Sequence, residues 1–579
     1  MNEGLKSRAG IVAAGVGALL LIGWAYSNHF DNGFQFDDFH VIEDNAAIRS
    51  LRDVPSFFRD PLTYSARPQN ASYRPLLTLS YALDYARADG LKPAFFHETQ
   101  FLLHLTVWIA LLALYRKLLD LCDISSWHPW IALFSATFFA VHTANTETVN
   151  YLSARSSLVA TLAVVCSLLV YLQWPKLRRW QLHLVPMLVG GLAKPLTVMY
   201  APLLLVMVLL LEERRAVGGW LKRDTWNRRV AASVGPAFAG AALLYVLVRA
   251  MEPDTMVYST IDRLTYARTQ PYVWLRLFFL PVGLTADTDL GFLTSWSDAR
   301  VLGGVLGLLL LGGTIWRLSA YPWARPAAFG LCWFALALIP TSSVVPLSEP
   351  YNEHRIYFPY AGLALAFGWA GAAILQRQGN AVVAALAAMA LLSVHATGTQ
   401  ARNRVWHSDA SLWADVVAKS PRNGRALMNY GLTKMRTGKF EEALRLFERA
   451  QTFRPDYGIL EINLAICKSA LGRRSEIEAH FRRALELDSG YARGHFFYGR
   501  WLFQQGRAAE AETHLNRALA LAPNDLAPVH LLMYVLAARG EHRRLQELVA
   551  QTRAHYPEDP VVRRFGVPRG EPNASRSVP

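Results

Sequence analysis

The chain has 579 residues, of which 53% are hydrophobic and 18% charged, and its formal net charge is +15. Soluble domains carry nearer a quarter charged residues, so this composition excludes a purely soluble protein and a disordered or collagen-like one. Only 4 cysteines in this length exclude a disulfide scaffold. Most upstream basic residues flank apolar segments, as cytoplasmic loops of membrane proteins do, so the charge does not indicate nucleic-acid binding.

Apolar segments predict about eleven membrane spans, because about 20 largely apolar residues cross hydrocarbon. A signal peptide is the alternative for the first segment, but no small-residue cleavage site follows it and a retained helix is favoured. The stretch 181–211 is interrupted at Lys194-Pro195, which predicts two short spans meeting at a tip. The other nine lie at roughly 9–27, 97–115, 128–144, 156–174, 230–249, 300–316, 327–345, 356–375 and 381–399.

Loop charges predict the orientation of these spans. With the N-terminus inside, every inner loop is basic, as the positive-inside rule requires. Segment 271–284, about 14 residues long, must then not cross, and its length fits a re-entrant or interfacial helix. The odd number of spans places everything after residue 400 on the outer face. The outer loops are 28–96, 145–155, 250–299 and 341–355.

The loop 28–96 is long enough to indicate a function. We expect surface helices in it near 50–58 and 75–85. It begins with an acidic pair, Asp37-Asp38. On the pair alone, carboxylates that solvate a helix exit are the favoured interpretation. The catalytic one is that one carboxylate removes a proton from an acceptor hydroxyl while the other orients the acceptor.

Three cations approach the same membrane face at Arg155, Lys194 and Arg355. Each alone is better explained by snorkelling or by pairing with an acid. Together they suit a lipid phosphate, since arginine offers a planar fork to phosphate oxygens and lysine a point charge. A stabilised phosphate leaving group opposite a base is what glycosyl transfer from a lipid phosphate requires.

Other polar residues favour structural roles. His97 and His104 share one face of the second span, which is typical of packed polar side chains. Asp287 and Asp289 fit a surface cation site and an ordinary loop turn equally well. Core packing is favoured for the cysteines, which lack a CxxC spacing: Cys122, Cys166, Cys332 and Cys467.

A period of 34 residues begins beyond residue 420. Glycine recurs at this spacing, and so do alanine and proline: Gly438, Gly472, Gly506 and Gly540; Ala450, Ala484 and Ala518; Pro455, Pro523 and Pro557, with Ser489 in the remaining slot. The period predicts four tetratricopeptide repeats over 421–557 that stack into an α-solenoid. A structural cap and a groove for an extended peptide are both open. Residues 401–420 are expected to be a connecting helix, and 558–579 a flexible tail.

Several motifs occur in one order along nearly the whole chain: FDDFH (36–40), SYRPLLTLSYALDY (72–85), VHTANTETVNYLSARSSLVA (141–160), LAKP (192–195) and NEHRIYFPYAGL (352–363). With the repeats, this order resembles the TMTC family of transmembrane and tetratricopeptide-containing O-mannosyltransferases, in the GT-C superfamily. The resemblance implies an all-α chain, with a GT-C-like transmembrane domain over 1–400 before the solenoid. The chain departs from the family at Lys194-Pro195 (usually Lys-Glu) and at Glu353-His354-Arg355 (usually Glu-Arg).

The resemblance implies an inverting transferase that uses a polyprenyl-phosphate sugar. By the match of motifs, Asp37 would be the base and Asp38 would hold the acceptor. Arg355 and Lys194 would contact the donor phosphate, together with Arg155 and Tyr357. The positions expected to shape the site or the acceptor are His40, Arg74, Glu147, Glu353 and His354. No metal or cofactor is required, because basic side chains offset the departing phosphate.

The predicted function is therefore transfer of a mannose-like sugar to Ser or Thr of an exported protein bound by the array. One alternative is a glycosyltransferase whose acceptor is a lipid or a cell-surface glycan. Another is a glycosyltransferase that uses a pyrophosphate donor, with Mg or Mn held by Asp37, Asp38, Glu43 or Asp44. A non-catalytic scaffold for envelope assembly is a further alternative. A transporter is disfavoured, since no two-fold repeat is found among the spans. We expect a multi-pass protein of the bacterial inner membrane, with site and repeats periplasmic; an endoplasmic reticulum protein would have the same topology.

Overall fold

The computed structural model describes residues 2–123, 125–253, 261–340, 349–378, 380–473, 475–523 and 525–566. All regular elements among these residues are helices, so the all-α prediction is confirmed. The chain forms two compact units, Met1–Ser420 and Pro421–Pro579. Residues 341–348 and 567–579, which include parts of a predicted outer loop and of the predicted tail, lie outside the described residues.

The first unit contains seventeen α-helices among its described residues. In chain order they are α1 (Asn2–Ala25), α2 (Val54–Phe57), α3 (Pro75–Ala88), α4 (Pro93–Asp120), α5 (His128–Val141), α6 (Thr146–Asn150), α7 (Arg155–Gln173), α8 (Pro175–Arg179), α9 (Leu184–Gly191), α10 (Tyr200–Met207), α11 (Arg228–Met251), α12 (Arg263–Phe279), α13 (Ala299–Ser319), α14 (Arg325–Ile339), α15 (Tyr357–Gln378), α16 (Ala381–Asn403) and α17 (Asp409–Lys419).

The membrane spans follow the prediction, and the number of eleven is approximate. Eight helical segments of the described residues are long and apolar enough to cross a membrane, and 9–25 and 128–141 are shorter apolar helices. The interruption at Lys194-Pro195 is confirmed, because α9 ends at Gly191 and Lys194 is extended, with φ −159° and ψ 124°. A residue that precedes proline disfavours the helical conformation, which explains the break.

Helix α12 begins earlier than the segment predicted at 271–284. It covers 263–279, Pro271 lies inside it, and Asp262 caps it by accepting a hydrogen bond from the Thr265 N–H at 2.9 Å. Its first half is polar, so hydrophobicity alone did not reveal it. In the long outer loop the predicted surface helices are present as α2 and α3.

Loops that connect the spans meet at one end of the bundle. His29 and Asn32 follow α1 and contact Asn150 at 2.8 Å and 2.6 Å, and Asn150 donates to Asn403, at the end of α16, at 2.7 Å. All four side chains are buried. Buried amides are costly unless they are hydrogen-bonded, so this network fixes three distant loops against one another.

The second unit is a stack of helix pairs, which confirms the predicted repeats. The pairs are α18 (Gly424–Arg436) with α19 (Phe440–Phe453), α20 (Gly458–Ala470) with α21 (Ile477–Leu487), α22 (Ala492–Gln504) with α23 (Ala508–Leu521), and α24 (Leu526–Ala538) with α25 (His542–His555), followed by α26 (Pro560–Gly566). The four periodic glycines have φ between +69° and +77° and form the turn inside each pair. The three periodic alanines are buried where the paired helices touch.

Candidate functional site

The carboxylate of Asp37 is exposed at the end of the bundle where the loops meet. It lies in a turn directly after Phe36, and its side chain is 59% exposed. It accepts hydrogen bonds from His40 Nε2, at 3.2 Å, and from Tyr151. Burial would raise the pKa of Asp37, but the hydrogen bonds from His40 and Tyr151 outweigh it and hold the pKa below its usual range. Asp37 is therefore an ionised acceptor that solvent and ligands reach.

Asp38 points the other way and is fully buried. Its Oδ1 accepts from the N–H and the hydroxyl of Ser153, at 2.8 Å and 2.7 Å, and its Oδ2 accepts from the Gln35 N–H at 3.1 Å. Burial raises the pKa of Asp38 to about 7. These contacts tie the acidic turn to the loop before α7. Asp38 therefore does not face an acceptor, in contrast to the role that the resemblance implied.

His40 lies between Asp37 and the following loop. Its Nδ1 is 2.9 Å from Ser65 Oγ, and its Nε2 is 3.0 Å from Asn70 Nδ2. The imidazole is buried, with 5% of its side chain exposed. Its partners fix the ring plane, so His40 orients the Asp37 carboxylate.

Lys194 lies at the tip of the broken hairpin, and none of the acidic side chains that the structure describes forms an ion pair with it. Its Nζ donates to Ser157 Oγ at 2.9 Å. Burial lowers its pKa to about 7, and the positive charges of Arg74 and Arg355 add to this effect. The positive charges of Arg74 and Arg355 beside Lys194 make this part of the site favourable for an anion.

Arg74 and Arg355 are held by tyrosines. Arg74 donates to Ser72 Oγ at 3.3 Å and to the Tyr64 hydroxyl at 3.4 Å, with its guanidinium 5.2 Å from the centre of the Tyr64 ring. Arg355 donates to the Tyr266 hydroxyl at 3.2 Å and lies 3.7 Å from Glu349. Both guanidinium groups are half-buried, which strengthens their interaction with any anion beside Lys194.

His354 connects the acid with the cations. Its Nδ1 is 2.6 Å from Glu147 Oε1. Burial holds the pKa of His354 well below its usual range, the charges of Lys194 and Arg355 lower it further, and the charge of Asp37 opposes them. All three charges act on one imidazole, so Asp37, Lys194 and Arg355 lie near His354; we call this group of side chains, together with Arg74 beside Lys194, the acid–cation chamber.

Two buried glutamates, Glu147 and Glu353, stabilise the segment that carries His354 and Arg355. Glu353 accepts from the Thr285 N–H at 2.6 Å, and its other oxygen is 3.7 Å from Arg402. Burial raises the pKa of both Glu147 and Glu353 above the usual range of a carboxyl group. They orient His354 and Arg355 without facing the chamber, so their role is to shape the site.

Arg155 and Tyr357 do not join the chamber. Arg155 is 0% exposed and pairs with Asp84 at 2.7 Å, and its other donors bind Gln100, Ser80 and the Phe96 carbonyl. The Tyr357 hydroxyl is 2.7 Å from Nδ1 of His104, in the core of the bundle. Their polar groups already have partners, so the structure does not favour contact of either with a donor phosphate.

The remaining polar candidates have local partners. The Asp287 carboxylate accepts from the Thr288 N–H at 2.8 Å, as in an ordinary turn. Among the residues that the structure describes, no group of three or more His, Cys, Asp or Glu side chains is arranged to hold a metal. The four cysteines are free and are buried or half-buried.

Sequence reasoning missed several residues of the chamber. Tyr64, Tyr151, Ser157 and Tyr266 bind its charged side chains, and Glu252 accepts from Ser72 and from the Tyr73 N–H beside Arg74. Tyr151 and Ser157 stand within one of the motifs quoted above, which was a usable signal. Tyr266 and Glu252 are in segments without a motif, where only the folded structure reveals the contact.

Comparison with known proteins agrees with this architecture. Residues 422–490 and 469–538 match tetratricopeptide repeat family models. The protein O-mannosyl-transferase Tmtc3 of Drosophila melanogaster is 25% identical over 80% of this chain and 57% of its own length. TMTC3 of Mus musculus is 23% identical over 94% of this chain and 60% of its own. Among solved structures, YrrB, a TPR protein with an unusual peptide-binding site, is 16% identical, with a TM-score of 0.24 over 34% of this chain and 95% of its own.

The chain spans about three fifths of the length of these curated relatives. The resemblance seen in the motifs is thus confirmed by similarity that runs through both units. The chain is a multi-pass membrane protein homologous, over most of its length, to the curated TMTC protein O-mannosyl-transferases, and it carries a C-terminal tetratricopeptide array.

Proposed function

We propose that the chain is a membrane glycosyltransferase that moves a mannose-like sugar from a polyprenyl phosphate to a Ser or Thr hydroxyl of a protein. The observation that carries this proposal is the acid–cation chamber, in which an ionised, exposed carboxylate, Asp37, acts on the same imidazole as Lys194 and Arg355, and Arg74 acts on Lys194. The names of the homologous proteins support the same class of activity.

The reaction is a single displacement in this proposal. The acceptor oxygen forms a bond to the anomeric carbon while the bond from that carbon to the phosphate oxygen breaks. Asp37 takes the hydroxyl proton, and the polyprenyl phosphate leaves toward Lys194, Arg74 and Arg355, which offset its charge. Attack on the face opposite the phosphate inverts the anomeric configuration.

Other residues act through these groups. Asp38 and His40 position Asp37, and Glu147 positions His354 beside Arg355. We include no metal or cofactor, because three cations face the leaving phosphate. The prenyl chain lies in the bilayer, and the tetratricopeptide array binds the acceptor protein. We place the chamber and the array on the periplasmic side of a bacterial inner membrane.

The test is incubation of the purified full chain with a panel of polyprenyl-phosphate sugars and Ser/Thr peptides, followed by mass spectrometry. We expect one added hexose on a peptide and retention of this activity in a chelator. Asp37→Asn should lower the rate at least about 100-fold, as loss of a general base does, while donor binding persists. Asp31→Asn changes an exposed acid outside the chamber and is the matched control.

A wild-type rate in Asp37→Asn would overturn the assignment of the base. Transfer only to added lipid or glycan would show that the acceptor is not a protein. Loss of activity in a chelator, restored by Mg²⁺ or Mn²⁺, would favour a pyrophosphate donor with a bound metal. Absence of transfer from every sugar donor, with a stable partner bound to the array, would favour the scaffold.

A further inference from the structure

The turn that presents Asp37 contains a strained residue. Phe36 has φ +52°, a left-handed conformation that is costly for a bulky L-residue. Three other non-glycine residues of the described part share a positive φ: Asp89, Gln181 and Arg214. None of these three adjoins the chamber residues in sequence. Strain of this kind persists where the surroundings impose it, and it often marks a functional site.

Three aromatic side chains pack against Phe36 and favour its conformation. Its ring is 4.9 Å from the ring of Trp413, 5.8 Å from that of Tyr151 and 6.1 Å from that of Trp406, measured between centroids. Both tryptophans are buried, at 6% and 1% exposure. Trp413 belongs to α17 and Trp406 to the turn before it, so the segment that follows the last span encloses the residue before Asp37.

The same segment binds the turn through the main chain and through Tyr151. The Gly33 N–H donates to the His407 carbonyl at 3.1 Å, and the Gln35 side chain donates to the Trp406 carbonyl at 3.4 Å. Trp406 also stacks on Tyr151, with centroids 6.0 Å apart and ring planes at 24°. Tyr151 in turn donates a hydrogen bond to Asp37.

The other end of α17 reaches the cation side of the chamber. Asp415 pairs with Arg402 and with Lys419, each at 2.7 Å, and Lys419 Nζ donates to the Leu284 carbonyl at 2.7 Å. The next residue, Thr285, binds Glu353, which precedes His354 and Arg355. A single short helix is thus linked to both sides of the chamber.

We propose that α17 is part of the active-site frame and that Trp413 is a positioning residue for Asp37. Trp413 holds Phe36 in its left-handed conformation, and this conformation turns the Asp37 carboxylate into the chamber. The proposal rests on the proposed function for its catalytic meaning. Since Ser420 ends this segment and the repeat unit starts at residue 421, the helix that leads into the array also sets the position of the base.

The test compares Trp413→Ala with Trp413→Phe in the full chain. We expect Trp413→Ala to lower kcat at least tenfold while KM for the polyprenyl-phosphate sugar stays within twofold. Trp413→Phe keeps an aromatic ring against Phe36 and should stay within about threefold of the wild-type kcat. The matched control is Trp180→Ala, because Trp180 is 76% exposed and lies in a loop that is predicted to face the cytoplasm, opposite the chamber.

A second measurement does not depend on transfer. In a chain whose four cysteines are replaced by alanine, Asp37→Cys reports the exposure of this position to a hydrophilic maleimide. Adding Trp413→Ala should speed the labelling at least threefold, because the released turn no longer holds residue 37 between His40 and Tyr151. Adding Trp180→Ala should leave the labelling rate unchanged.

The two measurements separate this proposal from the proposed function. A wild-type kcat in Trp413→Ala, or an unchanged labelling rate, would overturn the positioning role. Equal loss of kcat in Trp413→Ala and Trp413→Phe, with equal loss of thermal stability, would also overturn it. If the wild-type chain transfers no sugar but labelling responds to Trp413→Ala, the proposed function fails and the frame stands.

Discussion

The three cations Arg155, Lys194 and Arg355 look alike in the sequence, and their partners distinguish them. Arg155 is 0% exposed and paired with Asp84, which is 4% exposed. Lys194 binds a neutral hydroxyl and is affected by two further positive charges. Removing one member of a buried ion pair destabilises the fold, whereas a cation among cations favours an incoming anion.

We therefore expect opposite effects from two matched substitutions. Arg155→Met removes the nearest cation from the buried Asp84 carboxylate, which keeps only a hydrogen bond from Thr99 and Arg87 at 3.8 Å, and should cost about 3–5 kcal/mol of folding free energy. Lys194→Met removes a partly buried charge that has no acidic partner in the described part of the chain, and it should leave stability unchanged or higher while abolishing donor binding. Thermal unfolding in detergent and donor titration measure the two effects. Adding Asp84→Leu to Arg155→Met should restore part of the stability; if it restores none, the ion pair is not the cause.

The pKa of Lys194, lowered to about 7, predicts a pH-dependent affinity for the donor. The ammonium is protonated below this pKa and binds the phosphate, and its charge is lost as the pH rises through it. The Kd for a polyprenyl phosphate should therefore increase several-fold between about pH 6 and pH 8.5. Lys194→Arg keeps its charge over this range and should flatten the dependence. A flat wild-type profile would contradict the lowered pKa.

The residue types of the chamber were predictable, but the roles of several were not. Asp37, Lys194, Arg74 and Arg355 were named from the sequence, and their charges act on one another's neighbours in the structure. Asp38 was expected to hold an acceptor, but it binds Ser153, which is 115 residues further along the chain. Contacts of this kind depend on which loops meet in the folded chain. The types of the residues alone do not predict which loops those are.

At the scale of elements, the most predictable features were those with a period. The 34-residue repeat fixes one glycine in each of the four helix pairs and one buried alanine in three of them, so the positions of the four pairs follow from spacing alone. Helix α12 has no period or apolar run to reveal its polar first half, and its start was missed. The interruption at Lys194-Pro195 was visible because proline acts on the residue before it.

The turn glycines of the repeats lead to a stability prediction. Gly506 has φ +77°, and a Cβ added there would meet nothing within 4 Å, so only the backbone conformation opposes a side chain. Gly506→Ala should cost about 1–2 kcal/mol. Gly506→Asn should cost less, since asparagine tolerates this conformation better. Thermal unfolding of the repeat unit within the full chain measures both, and stabilisation by alanine would contradict the left-handed turn.

At the scale of the whole molecule, the side on which each segment lies depends on the number of crossings. Of the two units, the first contains all eight of the long spans found among the described residues. The loop charges predict that basic loops face the cytoplasm. Helix α12 decides the count, because a full crossing there would exchange the sides of everything that follows.

Cysteine labelling tests this topology in intact cells. In a cysteine-free chain, Asp31→Cys, in the exposed turn after α1, and Asp456→Cys, in the repeat unit, should both react with a membrane-impermeant maleimide. Arg223→Cys, in a basic loop, should react only after permeabilisation. Both expectations follow from an odd number of spans with α12 not crossing. If Asp31→Cys and Asp456→Cys react from opposite sides, the number of crossings between them is odd, and α12 becomes the first candidate for the additional span. An array on the side opposite Asp37 could not guide acceptors to it, so this outcome would contradict the proposed role of the array.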